Sequence, residues 1–351
     1  MKRFLCLALC FAVPSFAQDE KTKEPAKPAQ KVEKKKQVPK NRRAFLAPKT
    51  AGPDFEIQGE YVGKVHDGEL KLGLQVIALG DGKFDAWAYP GGLPGAGWTQ
   101  EQRVKASGET RDGVTPLKSE MGTAEIKDGM AIAYNNDGEK MGELRKVVRK
   151  SPTLGKKPTK DAMVLFDGKS TDKWNWKDRS KKKLDKGLLV QGVWSKAKFG
   201  SFRLHMEFML SFMPYAGSQG RSNSGCYMQG RYETQILDSF GLEGKHNECG
   251  GIYTVAKPKV NMCLPPLSWQ TYDVEFHEAE FDPSGKKVKN ARMTVRHNDV
   301  LVHDDVEISH ATTASRLKEG PEPGPIYIQD HSNPVRFRNI WIEPVEKKIV
   351  R

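Results

Sequence analysis

The sequence has no hydrophobic run long enough to span a bilayer, no CxxC pair, and no long amphipathic helical stretch in its second half. The first absence excludes a membrane-spanning helix, which needs about 20 apolar residues. The second removes the usual spacing of a zinc site. Cysteine is scarce: of five, Cys6 and Cys10 lie in an N-terminal leader, leaving Cys226, Cys249 and Cys263. An odd number allows at most one bridge and one free thiol, and Cys249 with Cys263 would close a short loop. Three reduced, buried thiols are the alternative.

The leader has a positive start, Met1-Lys2-Arg3, a short apolar run from Phe4 to Val13, and a small-x-small pattern, Ser15-Phe16-Ala17, before Gln18. This predicts a secretory signal over 1–17 and an exported chain, periplasmic or extracellular. The formal charge of +13 invites a nucleic-acid reading, but its location argues against one. Lys and Arg outnumber Asp and Glu eleven to four in residues 18–50. That Lys/Pro/Ala segment has almost nothing to bury, so 18–52 reads as a disordered, extended basic linker. It is a solvated spacer or, on the sharper reading, a tail that contacts an anionic envelope. No nucleic-acid partner is expected, and the oligomeric state is open.

What remains is all-β. Residues 53–150 predict a small β-meander domain: LKLGLQVIAL and FDAWAYP flank Gly80-Asp81-Gly82, and GTAEI and MAIAYN flank Lys127-Asp128-Gly129, a strong hairpin signal. No cluster of His, Cys or paired carboxylates marks this domain for catalysis. After a polar connection, SPTLGKKPTK, about ten short strands follow in 161–346, several with clear alternation. Phe202, Leu204, Met206 and Phe208 oppose Arg203, His205 and Glu207, for example. Many short strands with one polar face each predict a two-sheet β-sandwich.

The conspicuous strand is RYETQILDSFG, residues 231–241, in which Glu233 and Gln235 share a face opposite Tyr232, Thr234 and Ile236. Asp238 follows, and a β-bulge would return it to the face of Glu233. An active site, a sugar-binding surface or an ordinary solvated face would each look like this. Asn223-Ser224-Gly225, just before, offers small donors for a sugar hydroxyl or simply a turn. Gln329-Asp330-His331 adds an imidazole whose ordinary pKa of about 6.5 suits acid–base work. Asp330 could bind hydroxyls, and Arg336 and Arg338 could polarise a ketone oxygen; all four could equally form a hydrogen-bond and ion-pair network. Trp269 is a stacking platform for a pyranose or a core residue. His246 and Glu248 could join Asp238 around a divalent cation, although nothing in their spacing is diagnostic.

Seven ordered blocks, LFDGKSTDKWNW, FGSFRLHMEF, RSNSGCYMQGRYETQILDSFG, ECGGIY, PPLSWQTYDVEF, ARMTVRHNDVLVHDD and IQDHSNPVRFRNIWIEP, resemble the 3-keto-disaccharide hydrolase domain family over residues 163–345. The resemblance implies a concanavalin A-like jelly roll and cleavage of an oxidised di- or oligosaccharide. The front domain resembles a segment that precedes this domain in some planctomycete-type secreted proteins. The E-x-Q-x-x-D spacing is also similar to the E-x-D-x-x-E strand of laminarinase-type jelly-roll glycosidases. Gln235, standing where that strand holds an acid, cannot transfer a proton, which puts a straight retaining mechanism in doubt. A 3-ketone acidifies the proton on C2, so elimination of the aglycone and hydration is the natural route, with Glu233, Asp238 and His331 as candidate acids and bases and Gln235, Asn223, Asp330, Arg336, Arg338 and Trp269 as candidate substrate contacts. Direct hydrolysis would instead need two carboxyl groups at defined separation. A non-catalytic, lectin-like module and a structural envelope protein are the competing classes, since one jelly roll serves several purposes.

Overall fold

The computed structural model describes residues 38–176 and 184–345. The signal segment and the basic segment up to residue 37 lie outside the described residues. Among those described, no helix is long and apolar enough to cross a membrane.

The front domain is a closed barrel of eight consecutive antiparallel strands, from Gly59–Val65 to Lys140–Val147. The sequence predicts the up-and-down order but not the closure. Closure comes from the first strand pairing with both its neighbour Leu70–Gly80 and the last strand, which leaves no open edge. The predicted turn is present: Asp128 and Gly129 have φ of 48° and 76°, the left-handed pair a two-residue hairpin requires. Tyr61, Val76, Phe84, Leu117, Ile126 and Leu144 fill the interior.

Residues 38–52 differ from the disordered linker expected there. A short helix, Pro48–Ala51, forms beside the barrel, followed by a second, Pro53–Ile57, at the start of the predicted β-domain, and Phe45 pairs through its backbone with Phe212. Apolar residues explain the order: Ala51 joins the barrel core and Phe45 packs against it, so this end of the basic segment has something to bury.

Behind the barrel stands a two-sheet jelly-roll sandwich. One sheet has five strands in the order Trp174–Trp176, Val193–Ser195, Tyr327–Ile328, Ser224–Met228, Tyr232–Ile236. The larger sheet centres on Val335–Pro344, Phe202–Leu210, Trp269–His277 and Ala291–His297. Alternation decides what lies between them. Phe202, Leu204, Met206 and Phe208 meet Cys226, Met228, Tyr232 and Ile236 in one core.

Barrel and sandwich belong to one compact unit and exchange core residues. Ile77, from a barrel strand, packs in the sandwich core, while Phe212, just past a sandwich strand, is buried in the barrel core. Full burial of such a side chain stabilises by about 1.5–3 kcal/mol. The connection 151–160 runs along the outer face of the larger sheet, held by Ser151 Oγ to Thr271 Oγ1 (2.6 Å), Gly155 N–H to Glu207 Oε1 (2.6 Å) and Lys156 Nζ to Asp273 Oδ1 (2.8 Å).

Candidate active site

Ser224–Met228 and Tyr232–Ile236 form a hairpin in which Tyr227 opposes Glu233 and Gly225 opposes Gln235. Their partners Cys226, Met228, Tyr232 and Ile236 enter the core, so Tyr227, Glu233, Gly225 and Gln235 share the other face, as the alternation predicts. Tyr232–Ile236 ends the sheet, yet its outer edge is not bare. Gly251 O accepts from Gln235 N, Gly250 N donates to Gln235 O, and Tyr253 N donates to Glu233 O. Gly225 makes the room: a Cβ there would lie 1.9 Å from Glu233 Oε1.

The Glu233 side chain is buried, and desolvation pushes its carboxyl up to about 8; a hydrogen bond from Tyr227 and the positive charge of Arg316 work the other way. Tyr227 Oη donates to Glu233 Oε2 at 2.7 Å, and Gln329 Nε2 donates to Tyr227 Oη at 3.1 Å. Burial, followed by the Glu233 charge, drives the phenol far up, so Tyr227 stays protonated and remains a donor. A carboxyl titrating near 8 is a stronger base than an ordinary glutamate and still gives up its proton close to neutrality.

Around this carboxyl the sheet face is aromatic. Tyr227 packs at 5.4 Å from Tyr327, and Tyr327 stacks on half-buried Trp194 at 4.1 Å between ring centroids. The exposed Arg316 guanidinium sits 5.6 Å from the Tyr327 ring. On the other side lies an amide cluster. Gln235 Nε2 donates to Gln219 Oε1 (3.1 Å), and Asn223 Nδ2 donates to Gln219 O (2.7 Å). Asn223 Oδ1 is buried with no hydrogen-bond partner, an acceptor that a sugar hydroxyl would satisfy.

The other candidates are dispersed. Asp238 is not returned to the Glu233 face by a bulge. The strand ends at Ile236, and the Asp238 carboxylate is gripped by buried Arg221 (Nε–Oδ2, 2.6 Å), which also donates to Ala78 O of the barrel. Asp330 caps its own turn, accepting from Ser332 N–H at 2.9 Å, and His331 is exposed. Of that triplet Gln329 reaches the Glu233 network. Arg336 and Arg338 alternate with core residue Phe337 and therefore face outward from the larger sheet. Arg336 binds Asp185 Oδ2 through Nε (2.9 Å) and Nη2 (2.7 Å), while Arg338 binds Glu207 Oε2 (2.6 Å) and covers Trp269 at 3.9 Å. Trp269 thus stacks on a guanidinium on the face opposite the sandwich core, away from Glu233. Glu248 caps Gly244 and Lys245 N–H, and among the described residues no three His, Cys, Asp or Glu are grouped to hold a metal ion. Tyr227, Tyr327, Trp194 and Arg316 are the neighbours that sequence reasoning misses. Period two along Gly225 and Tyr227 was the available signal for the first.

The jelly roll thus carries a buried carboxyl ringed by aromatic and amide groups, the arrangement of a β-sandwich domain with a candidate acid–base site. Residues 161–343, just over half of the chain, match the 3-keto-alpha-glucoside-1,2-lyase-like domain, and the chain belongs to that family. Two solved structures, each described as a "putative glycosyl hydrolase" from Parabacteroides distasonis, are similar to it. One shares 29% identity over 53% of this chain and 84% of its own, with a TM-score of 0.47. The other shares 16% over 57% and 99%, with a TM-score of 0.40. No curated protein matches the chain.

Proposed function

We propose that the chain is an exported enzyme that cleaves 3-keto-glycosides by elimination and hydration, with Glu233 as the group that moves the proton. The family supports the substrate class. The observation that carries the role is a buried glutamate titrating near 8 and hydrogen-bonded to a phenol that stays protonated. In the ionised form, Glu233 takes the proton from C2, acidified by the neighbouring ketone. The C2 electron pair closes a C1=C2 double bond as the C1–O bond to the aglycone breaks, and water then adds across the double bond. Arg316 supplies a cation for the developing enolate oxygen, and Asn223 Oδ1 accepts a sugar hydroxyl. Gln235 orients the amide cluster. Asp238 positions the end of the strand through Arg221. His331, exposed two residues past Gln329, is proposed to protonate the departing oxygen.

The test is release of free sugar from 3-keto-trehalose or 3-keto-lactose by the purified protein. Glu233→Gln should lower kcat by about 10²–10⁴-fold with binding retained. A Glu233→Gln protein as active as the parent would remove Glu233 from the mechanism. The stacked Trp194 and Tyr327 favour one second reading, a sugar-binding module. Binding of several ketosugars without turnover would establish it instead.

A further inference from the structure

We propose that the front barrel is part of the active-site scaffold: it fixes the loop 211–223 so that Gln219 and Asn223 meet the sugar, with Tyr215 and Arg221 as positioning residues. The proposal rests on the sugar-cleaving reading given above. The loop leaves the strand Phe202–Leu210 and ends at Ser224–Met228, the strand of Tyr227. It meets the barrel at three points. Near its start, the Phe212 ring is buried in the barrel core, 5.4 Å from Phe55. In its middle, half-buried Tyr215 donates to Asp81 Oδ1 at 3.2 Å. Its ring lies against Gly80, where an added Cβ would come within 2.3 Å of it. Near the loop's end, buried Arg221 donates to Ala78 O at 3.2 Å. Ala78, Gly80 and Asp81 lie at one end of the barrel strand Leu70–Gly80 and the turn after it. Ile77, next to them, is itself anchored in the sandwich core.

The amides that face the site flank Arg221 on this loop. Gln219 Oε1 accepts from Gln235 Nε2 (3.1 Å) and Asn223 Nδ2 (3.2 Å), and Gln219 Nε2 donates to Asn247 O (2.8 Å). The loop backbone is not in a conformation it would keep alone. Ser218 and Ser222 hold φ of 49° and 46°, and residues other than glycine persist there only where surrounding contacts fix them. The sandwich supplies one such contact, from Asn223 N–H to Asn333 Oδ1 (3.0 Å). The barrel supplies those of Tyr215 and Arg221. It therefore acts on the sugar through the loop, at the buried, unpaired Asn223 Oδ1. The Tyr227–Glu233 pair, held within its own hairpin, is left to the sandwich.

Two variants of the full chain test this. In Gly80→Ala the new methyl displaces Tyr215 from the barrel side. Tyr215→Ala removes the same contact without touching the barrel backbone, and decides the matter if Gly80→Ala fails to fold. Hydrogen exchange reads the loop without any substrate. The amides of Gly220, Arg221, Ser222 and Asn223 are all hydrogen-bonded. They should exchange about tenfold faster or more in the variants, while Val274 and Val295 in the sandwich core keep the parent's protection. Turnover of 3-keto-trehalose reads the consequence. KM should rise about 3–10-fold, the equivalent of one sugar hydrogen bond, with kcat and its pH limb kept. In an Asn223→Ala background, Tyr215→Ala should add nothing further to KM, since both act through one amide. Parental exchange at 220–223 in the folded variants, or a fall in kcat with KM unmoved, would overturn the proposal. A parent chain that releases no sugar overturns the substrate reading instead, and exchange then still decides whether the barrel holds the loop.

Discussion

The Tyr227 phenol donates to Glu233 Oε2 at 2.7 Å between residues directly opposite each other on adjacent strands. Because the bond favours the ionised carboxyl, it opposes the desolvation that holds Glu233 near 8. Tyr227→Phe should therefore move Glu233 further up. If the ionised form is the base, the rising limb of kcat/KM against pH levels off near 8 and shifts to higher pH in the variant. Activity at pH 7 then falls about tenfold for each unit of displacement. An unmoved limb would separate Tyr227 from the titrating group.

The same group makes stability depend on pH. Unfolded, Glu233 ionises near its ordinary 4.5, but folded it keeps its proton to about 8. Between those values the native state binds the extra proton, so its contribution is fully present below 4.5 and is lost as pH rises through 8. Glu233→Gln removes the loss while keeping an acceptor for Tyr227. Its melting temperature should gain on the parent progressively from pH 5 to pH 8 and hold that gain above. Thermal unfolding at several pH values checks it, and a gain constant across the range would contradict the assignment.

Gly225→Ala tests the space that Glu233 occupies. The added Cβ would meet Glu233 Oε1 at 1.9 Å, a contact that only displacement of the carboxyl or the hairpin can relieve. Overpacking of this kind costs about 1–3 kcal/mol. The expected variant is less stable, and even as folded protein it loses most turnover. Unchanged kinetics would mean that Glu233 can leave its place without consequence.

Legibility in the sequence followed physical range. Period-two alternation placed Glu233 and Gln235 on one face and the apolar set of Phe202–Leu210 in the core, because both follow from strand geometry alone. Asp128-Gly129 announced its hairpin for the same local reason. Barrel closure was not legible, since it depends on Gly59–Val65 meeting Lys140–Val147 across the whole domain. Asp238 and the arginines were misplaced for a related reason. A charged residue declares its chemistry but not its partner, and Arg221, Asp185 and Glu207 are all distant in sequence from the groups they hold. The desolvation of Glu233 was equally hidden, being a property of the tertiary burial of its side chain.

Those arginines yield the last prediction, which separates support from catalysis. Glu207 is buried, which raises its carboxyl, but the neighbouring His205 imidazole (Nε2–Oε1, 3.8 Å) and bonds from Asn339, Gly155 N–H and Arg338 outweigh burial and hold it down to about 2. Its stabilisation is present above the unfolded value of 4.5 and is lost as pH falls toward 2. Arg338→Ala removes one charge-assisted bond to a carboxylate that keeps its other donors, at a cost of about 1.5–3 kcal/mol near neutral pH. That cost should shrink on acidification as Glu207 becomes protonated. Since Arg338 faces outward from the larger sheet beside Trp269, kcat and KM of the folded variant should match the parent. A variant of normal stability with impaired turnover of a 3-keto-glycoside would return Arg338 to the active site.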